Sequence, residues 1–148
     1  MAAESRLVLS HVVGERSQKS ADRLVKRTAR CLKALPLFVT DGLKFYKIAL
    51  LKQYGRLQSF ERTGKRGRPR ITRLIPDKLL KYAQIIKQRS GSILTGVEKR
   101  VIFGEDIESK FISTSYIERQ NLTCRQDNNR ISRKTIGFSK EKKHWIAK

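Results

Sequence analysis

Two carboxylates, Glu118 and Asp41, are the residues of this sequence best suited to carry chemistry. Glu118 lies near the start of Thr114–Lys140, a segment crowded with Arg, Asn and Gln. A carboxylate is unusual on the solvated surface of such a helix, but it is useful where a metal ion sits beside nucleic acid. The alternative is structural, because Ser115-x-x-Glu118 has the spacing of a helix capping box. The local sequence leaves both interpretations open.

Asp41 follows the short apolar run Leu37–Thr40 and precedes Gly42. If that run is a parallel strand, Asp41 stands at its carboxyl end, where open α/β sheets place their ligand sites. An Asp before a helix is also a favoured N-cap, and Asp-Gly is a common turn. The two roles do not exclude each other.

The elements that must position these acids alternate between strand and helix. Arg6–Val13 is an apolar run rich in β-branched residues and predicts a core strand. Ser17–Leu35 has apolar residues at helical spacing and predicts an amphipathic helix. Leu37–Thr40 predicts a strand, and Leu43–Tyr54 predicts a second amphipathic helix. Strand, helix, strand and helix with short connections predict an α/β unit with parallel pairing.

The second half of the chain differs from the first in its sequence pattern. Arg62–Arg73 is basic and contains glycine and proline, so it predicts a loop or linker. Tyr82–Arg89 and Ile93–Phe103 predict a β-hairpin that turns at Ser90-Gly91-Ser92. Gly104–Ser113 is a polar connection, and the last helix is expected to start near Ser115.

In that last helix, Ile117, Cys124 and Ile131 share one face and are expected to contact the core, with Glu118 on the flank. The chain has two cysteines, which is too few for a disulfide scaffold, and neither has zinc-ligand spacing. Cys31 and Cys124 are therefore expected to be buried small apolar residues.

The charge balance indicates a polyanionic partner. The sequence has 34 Lys and Arg against 13 Asp and Glu, a formal net charge of +21. Such a domain repels itself unless it meets a polyanion, and the phosphate backbone of nucleic acid is the usual one. No signal peptide or membrane-length apolar run is evident, so we expect a soluble protein of the cytoplasm, associated with the nucleoid.

Four stretches of sequence resemble one enzyme family. They are SRLVLSHVVGERSQKSADRLV, VTDGLKFYKIALL, SYIERQNLT and RISRKTIGFSK, and they resemble the catalytic domain of insertion-sequence transposases of the DDE class, the first of them its third strand and first helix. The resemblance implies a ribonuclease-H-like fold in which Asp41 and Glu118 are the second and third catalytic carboxylates. It also implies two Mg²⁺ or Mn²⁺ ions about 3.5–4 Å apart, double-stranded DNA of transposon ends and target as partner, and oligomeric action of the intact enzyme.

The resemblance divides the chain into three parts. Residues 1–55 correspond to a strand-helix-strand-helix core, 56–112 to a basic insertion with a hairpin, and 113–148 to the glutamate helix and tail. In the family the first catalytic Asp lies on a strand that would precede Arg6. We therefore expect an incomplete ribonuclease-H-like fold, a mixed sheet with flanking helices, in a fragment that is inactive alone. The alternative is a basic nucleic-acid-binding protein without catalysis, either a transposase remnant that competes with intact enzyme or an RNA binder of ribosomal type.

A short basic motif suggests how DNA is contacted. Lys65-Arg66-Gly67-Arg68-Pro69-Arg70 resembles the AT-hook, whose extended Arg-Gly-Arg core enters the narrow minor groove of A·T-rich DNA. The alternative is a flexible basic loop that contacts only phosphates. The residues expected to bind DNA are Lys65, Arg66, Arg68, Arg70, Arg119, Arg125, Arg130, Arg133 and Lys134.

The hook makes a testable prediction. Replacing Arg66 and Arg68 by Ala should weaken binding to an A·T-rich duplex more than to a G·C-rich duplex, because only the narrow groove attracts inserted arginines strongly. Fluorescence anisotropy on two duplexes of equal length measures both losses. Equal losses of affinity for the two duplexes would show that the motif is a loop that contacts only phosphates.

Overall fold

Three α-helices and five β-strands form the part of the chain that the computed structural model describes, residues 1–60 and 71–128. Together they make a mixed α/β fold with a mixed sheet and flanking helices, as predicted. In chain order the elements are α1 Gln18–Arg30, β1 Leu37–Asp41, α2 Lys44–Tyr54, β2 Gly55–Gln58, β3 Arg73–Pro76, β4 Lys81–Ser90, β5 Ile93–Phe103, a 3₁₀ turn Ser109–Phe111 and α3 Ser115–Asp127.

The main sheet has the strand order β1-β4-β5. β1 runs parallel to β4, with Leu37 opposite Lys81 and Asp41 opposite Ile85. β4 and β5 form the predicted antiparallel hairpin. Gly91 lies in its turn with a φ of 60°, a left-handed conformation that glycine adopts without steric cost.

The expected strand Arg6–Val13 is not formed, so this prediction was wrong. The segment contacts α1 through isolated hydrogen bonds instead of pairing with a neighbouring strand. Ser10 Oγ lies 2.7 Å from Thr28 Oγ1, and Arg27 Nη1 donates to the His11 carbonyl at 3.0 Å. The parallel neighbour of β1 is β4, which comes from beyond the basic loop.

Helix α1 begins where the sequence predicts and ends earlier. The Ser17 hydroxyl caps it by accepting a hydrogen bond from the Ser20 backbone amide. The helix ends at Arg30, with Cys31 as its C-cap, rather than continuing to Leu35. Helix α2 follows the predicted span closely, and Leu43 occupies its N-cap position.

The main core lies between the two helices and one face of the sheet. Tyr82 of β4 is fully buried there against Ala21 and Val25 of α1 and Ala49 and Leu50 of α2. The Tyr82 hydroxyl lies 2.8 Å from Thr40 Oγ1 and accepts a hydrogen bond from Gln84 Nε2 at 2.7 Å. The polar end of this core tyrosine is therefore satisfied, which keeps the cost of its burial low.

A smaller core covers the opposite face of the sheet. Ala83 and Ile85 of β4 pack there with Ile112, and Val39 and Ile107 lie at the margin of this cluster. The connection between β5 and α3 thus crosses this face. This connection determines where α3 begins relative to the sheet.

Helix α3 starts at Ser115 as predicted, but it buries none of its described residues. The expected core stripe was wrong for Ile117, which is 38% exposed, and for Cys124, which is exposed; Ile131 lies outside the described residues. The predicted burial of Cys31 was also wrong. The reason for α3 is geometric, because Ala83 and Ile85 of this face are already packed against Ile112, with Ile107 at the margin, before the helix begins.

A two-stranded antiparallel sheet, β2 with β3, was not predicted. It begins directly after α2 at Gly55. A Cβ atom on Gly55 would collide with the Leu51 carbonyl oxygen and would come 2.9 Å from Leu74 Cγ. The helix and the strand can therefore meet this closely only without a side chain at residue 55. Most of the predicted basic loop Arg62–Arg73 lies outside the described residues, and Arg73 begins β3.

Gly55→Ala should destabilise the fold by about 1–3 kcal/mol, because a clash with backbone cannot be relieved by a rotamer change. The matched control is Gly96→Ala in β5, where the added Cβ would meet only the flexible Gln88 side chain at 3.3 Å. Urea denaturation followed by circular dichroism measures both unfolding free energies. Equal stability of the two variants would contradict the close approach at Gly55.

Candidate functional site

The strand register assigns Asp41 to the sheet face from which Lys87 reaches Glu118. Side chains alternate along a strand, and paired residues of parallel strands share a face. Asp41 pairs with Ile85, and Lys87 follows Ile85 by two residues, so the register places all three on the face where Ile112 packs against Ile85. Lys87 lies roughly 7 Å beyond Ile85 along β4, and it is the residue that contacts Glu118.

The Glu118 carboxylate is held by two donors. Lys87 Nζ donates to Oε1 at 2.6 Å and to Oε2 at 2.7 Å, and Thr114 Oγ1 donates to Oε1 at 2.7 Å. The Lys87 hydrogen bonds, followed by the Thr114 hydrogen bond, lower the pKa of Glu118 below its usual range, and the charges of Lys87 and Arg89 act in the same direction. The predicted capping box does not form, because Thr114 occupies the N-cap position of α3.

The Asp41 carboxylate is exposed and makes a weaker contact. Its Oδ1 accepts a hydrogen bond from the Leu43 backbone amide at 3.4 Å, across the turn that leads into α2. Asp41 is therefore a turn residue and not the N-cap, which is Leu43. Burial raises the pKa of Tyr46 and of Tyr82, and the negative charge of Asp41 raises both further.

The oxygen donors of this face suit a hard divalent cation. Mg²⁺ and Mn²⁺ prefer carboxylate ligands, and Mg²⁺ keeps several of its waters, so two acids are a reasonable partial ligand set. The Lys87 ammonium group already contacts both oxygens of the Glu118 carboxylate. Within residues 1–60 and 71–128, no group of three or more His, Cys, Asp or Glu side chains could hold a metal. A metal bound here would need Lys87 to move away and further ligands from water or from other residues.

Two of the predicted DNA-binding residues lie beside Glu118. Arg119 and Arg125 line the same open depression along α3 as Glu118 and Leu122. Glu118, Leu122 and Arg125 follow helical spacing and share one face of α3. The other predicted DNA contacts lie outside the described residues: Lys65, Arg66, Arg68 and Arg70 in one gap, and Arg130, Arg133 and Lys134 in the other.

Sequence reasoning missed Lys87, Thr114 and Arg89 as neighbours of Glu118. Thr114 could have been found, because it lies four residues before Glu118 and precedes the predicted helix. Lys87 and Arg89 could not, since they are ordinary residues of a hairpin strand in the local sequence. Their role depends on how the connection after β5 folds back over the sheet.

No family model matches this sequence, and no curated protein or solved structure matches it either. None of the helices in the described ranges is long and apolar enough to cross a membrane.

The Lys87–Glu118 contact gives a prediction for pH. Lys87→Met should raise the pKa of Glu118 towards its ordinary value, because the first cause of its depression is removed. A carboxylate with a lowered pKa stabilises the fold above its unfolded-state pKa, and that stability is lost as the pH falls through the folded-state pKa. Both partners are partly exposed, so the loss at neutral pH should stay below about 1 kcal/mol.

The measurement is an NMR titration of the Glu118 side-chain carboxyl carbon in both proteins. Lys99→Met is the matched control, because Lys99 lies on the same face but donates to the Ser109 carbonyl at 2.6 Å and not to an acid. It should leave the Glu118 titration unchanged. An unshifted Glu118 titration in Lys87→Met would contradict the contact.

Proposed function

We propose that this chain is part of a DDE-class insertion-sequence transposase with a ribonuclease-H-like fold. In this proposal it binds double-stranded DNA, and Asp41 and Glu118 are two of the carboxylates that hold Mg²⁺ or Mn²⁺ for DNA strand cleavage and transfer. The proposal rests on the resemblance of the segments around Asp41 and Glu118 to that family. The observation that supports it best is the register of Asp41 with Ile85 on the strand whose Lys87 binds Glu118.

The composition of this face suits a nucleic-acid substrate. Glu118 is flanked by Arg119, Arg125 and Lys87, so an approaching phosphate meets cations, and the Glu118 carboxylate would become available for metal once Lys87 moves away. When bound, the metal would activate the attacking water or 3′ hydroxyl and would stabilise the leaving oxygen. Asp41 would hold it from the end of β1, and Glu118 would do so from the first turn of α3.

Lys87 has a defined part in this proposal. It neutralises Glu118 while the site is without metal, which limits the repulsion between the acids of the site. If Glu118 held a metal, Lys87 would be released and its ammonium group would be available to a phosphate oxygen of the DNA. A strand residue can make this change by rotating its side chain, without movement of the sheet.

A second candidate function is favoured by the same ion pair. If Lys87 remains on Glu118 permanently, the face is a basic DNA-binding surface with no cleavage activity. The protein would then act as a binder that competes for transposon ends. Metal binding distinguishes the two functions.

The test uses Mn²⁺ alone as a paramagnetic probe of the full chain in NMR. We expect line broadening centred on the amides of Asp41 and Glu118, reversed by excess Mg²⁺, because both ions prefer hard oxygen donors. Asp41→Asn and Glu118→Gln should each weaken the broadening at both positions, since the two acids would share metal.

The control is Glu98→Gln, which removes an acid of β5 that is paired with Arg100 at 2.8 Å. It should leave the broadening unchanged. Broadening spread over unrelated acids, or broadening at Glu118 that survives Asp41→Asn, would overturn the shared site and favour the non-catalytic binder.

A further inference from the structure

Helix α1 carries a continuous basic stripe on the face that points away from the core. Its members are Lys19, Arg23, Lys26, Arg27 and Arg30, and all five are exposed. Lys19, Arg23, Lys26 and Arg30 follow one another at spacings of four, three and four residues and form one row along the helix. Arg27 lies next to Lys26 and also donates to the His11 carbonyl at 3.0 Å. The opposite face is the one that holds Ala21 and Val25 in the main core.

The charge of this stripe is not balanced by the described part of the protein. None of the five side chains forms an ion pair with any residue in 1–60 or 71–128. The only acid of α1, Asp22, is engaged by Lys52 of α2 at 2.9 Å and by Gln18 at 2.6 Å. Asp22 is thus directed towards α2.

The row is also unfavourable for an isolated helix. Like charges three or four residues apart repel each other, and Lys19 stands in the first turn, where the helix dipole disfavours a cation. Arg27 and Arg30 lie in the last turn, which suits cations, so the dipole explains only one end of the stripe. A polyanion lying along the helix would remove this repulsion at every position.

The dimensions fit a strand of duplex DNA. From Lys19 to Arg30 the helix rises roughly 16 Å. Each strand of double-stranded DNA carries one phosphate per about 3.4 Å of helix axis, so the stripe covers the length of about five phosphates. The stripe lies on the helical side of the sheet, whereas the strand register assigns Asp41, and Lys87 that binds Glu118, to the opposite face.

We propose that the exposed basic stripe of α1 is a second DNA contact that binds the phosphate backbone of double-stranded DNA, on the opposite side of the sheet from the Asp41 and Glu118 site. This inference rests on the proposed function only in requiring duplex DNA as the partner. The contact is electrostatic and independent of base sequence, so it holds DNA without selecting it. A chain with DNA contacts on both sides of its sheet can hold two duplex segments or one that wraps around it.

The test compares two double variants of equal charge loss. Lys26→Gln with Arg30→Gln removes one Lys and one Arg from the stripe, and Lys78→Gln with Arg100→Gln removes the same pair from exposed positions outside the stripe, the basic loop and the candidate site. Glutamine is a good helix former, so the stripe variant should fold as well as the parent, which circular dichroism checks. Binding of a short duplex is measured by fluorescence anisotropy between about 50 and 200 mM salt.

For the stripe variant, the slope of log K against log[salt] should become smaller in magnitude by about 1.8, because two phosphate contacts are lost at about 0.9 each. The control variant should keep the parent slope. Binding by the parent with equal slopes in both variants would overturn the stripe and leave the proposed function standing. Absence of duplex binding by the parent would overturn DNA binding itself.

A second measurement uses the unmodified protein. Amine-reactive labelling read by mass spectrometry should show Lys19 and Lys26 protected by duplex DNA and Lys78 unprotected. Protection by duplex RNA but not by duplex DNA would assign the stripe to an RNA partner and would overturn the proposal. Equal labelling of Lys19 and Lys26 with and without DNA would overturn it as well.

Discussion

The parallel pairing of β1 with β4 is the constraint on which the rest of the structure depends. β1 is only five residues long, and its partner begins forty residues after β1 ends, beyond α2, the small sheet and the basic loop (81 − 41 = 40). The register of Asp41 with Ile85 decides which side chains share a face. A shift by one residue would turn Tyr82 out of the main core and move Lys87 away from Glu118. The core and the candidate site are therefore fixed by the same set of backbone hydrogen bonds.

This pairing separates two kinds of environment. On one side, Tyr82 is buried between α1 and α2, and the helices present their charged residues to solvent. On the other side, the apolar cover is small and ends at Ile112, so Lys87 beyond Ile85 and Lys99 opposite Ile85 form an exposed polar part of this face. Lys87 and Lys99 extend from that polar part, and the first is paired with an acid while the second holds the backbone of the 3₁₀ turn. The polar character of the site thus follows from where the apolar cover stops.

Local sequence patterns were enough to predict the elements that are determined by residues close together in the sequence. The sequence predicted the 3.6-residue period of α1 and α2, the glycine turn of the hairpin and the start of α3. Each of these features depends on residues that are neighbours in the sequence. The failures have a common cause. Arg6–Val13 has a strand composition, but it lies against α1 through Ser10 and His11, although β1 is an edge strand of the described sheet. Ile117 and Cys124 have a core pattern, but Ala83 and Ile85, the buried residues of this sheet face, are already packed against Ile112.

The candidate site shows the same division between local and distant information. Asp41 and Glu118 could be chosen as candidates from their residue type and their position in the sequence. Lys87, the cation that binds Glu118, lies on a strand that the sequence gives no reason to place beside Glu118. In the proposed function, a metal would have to displace the lysine that binds Glu118. An ammonium group brings one positive charge through a flexible side chain, while a divalent ion brings two and can bind several oxygens at once. A second carboxylate would favour the metal, because it adds nothing to the lysine contact but would add a ligand to the metal, and Asp41 is the acid that the β1–β4 register assigns to this face.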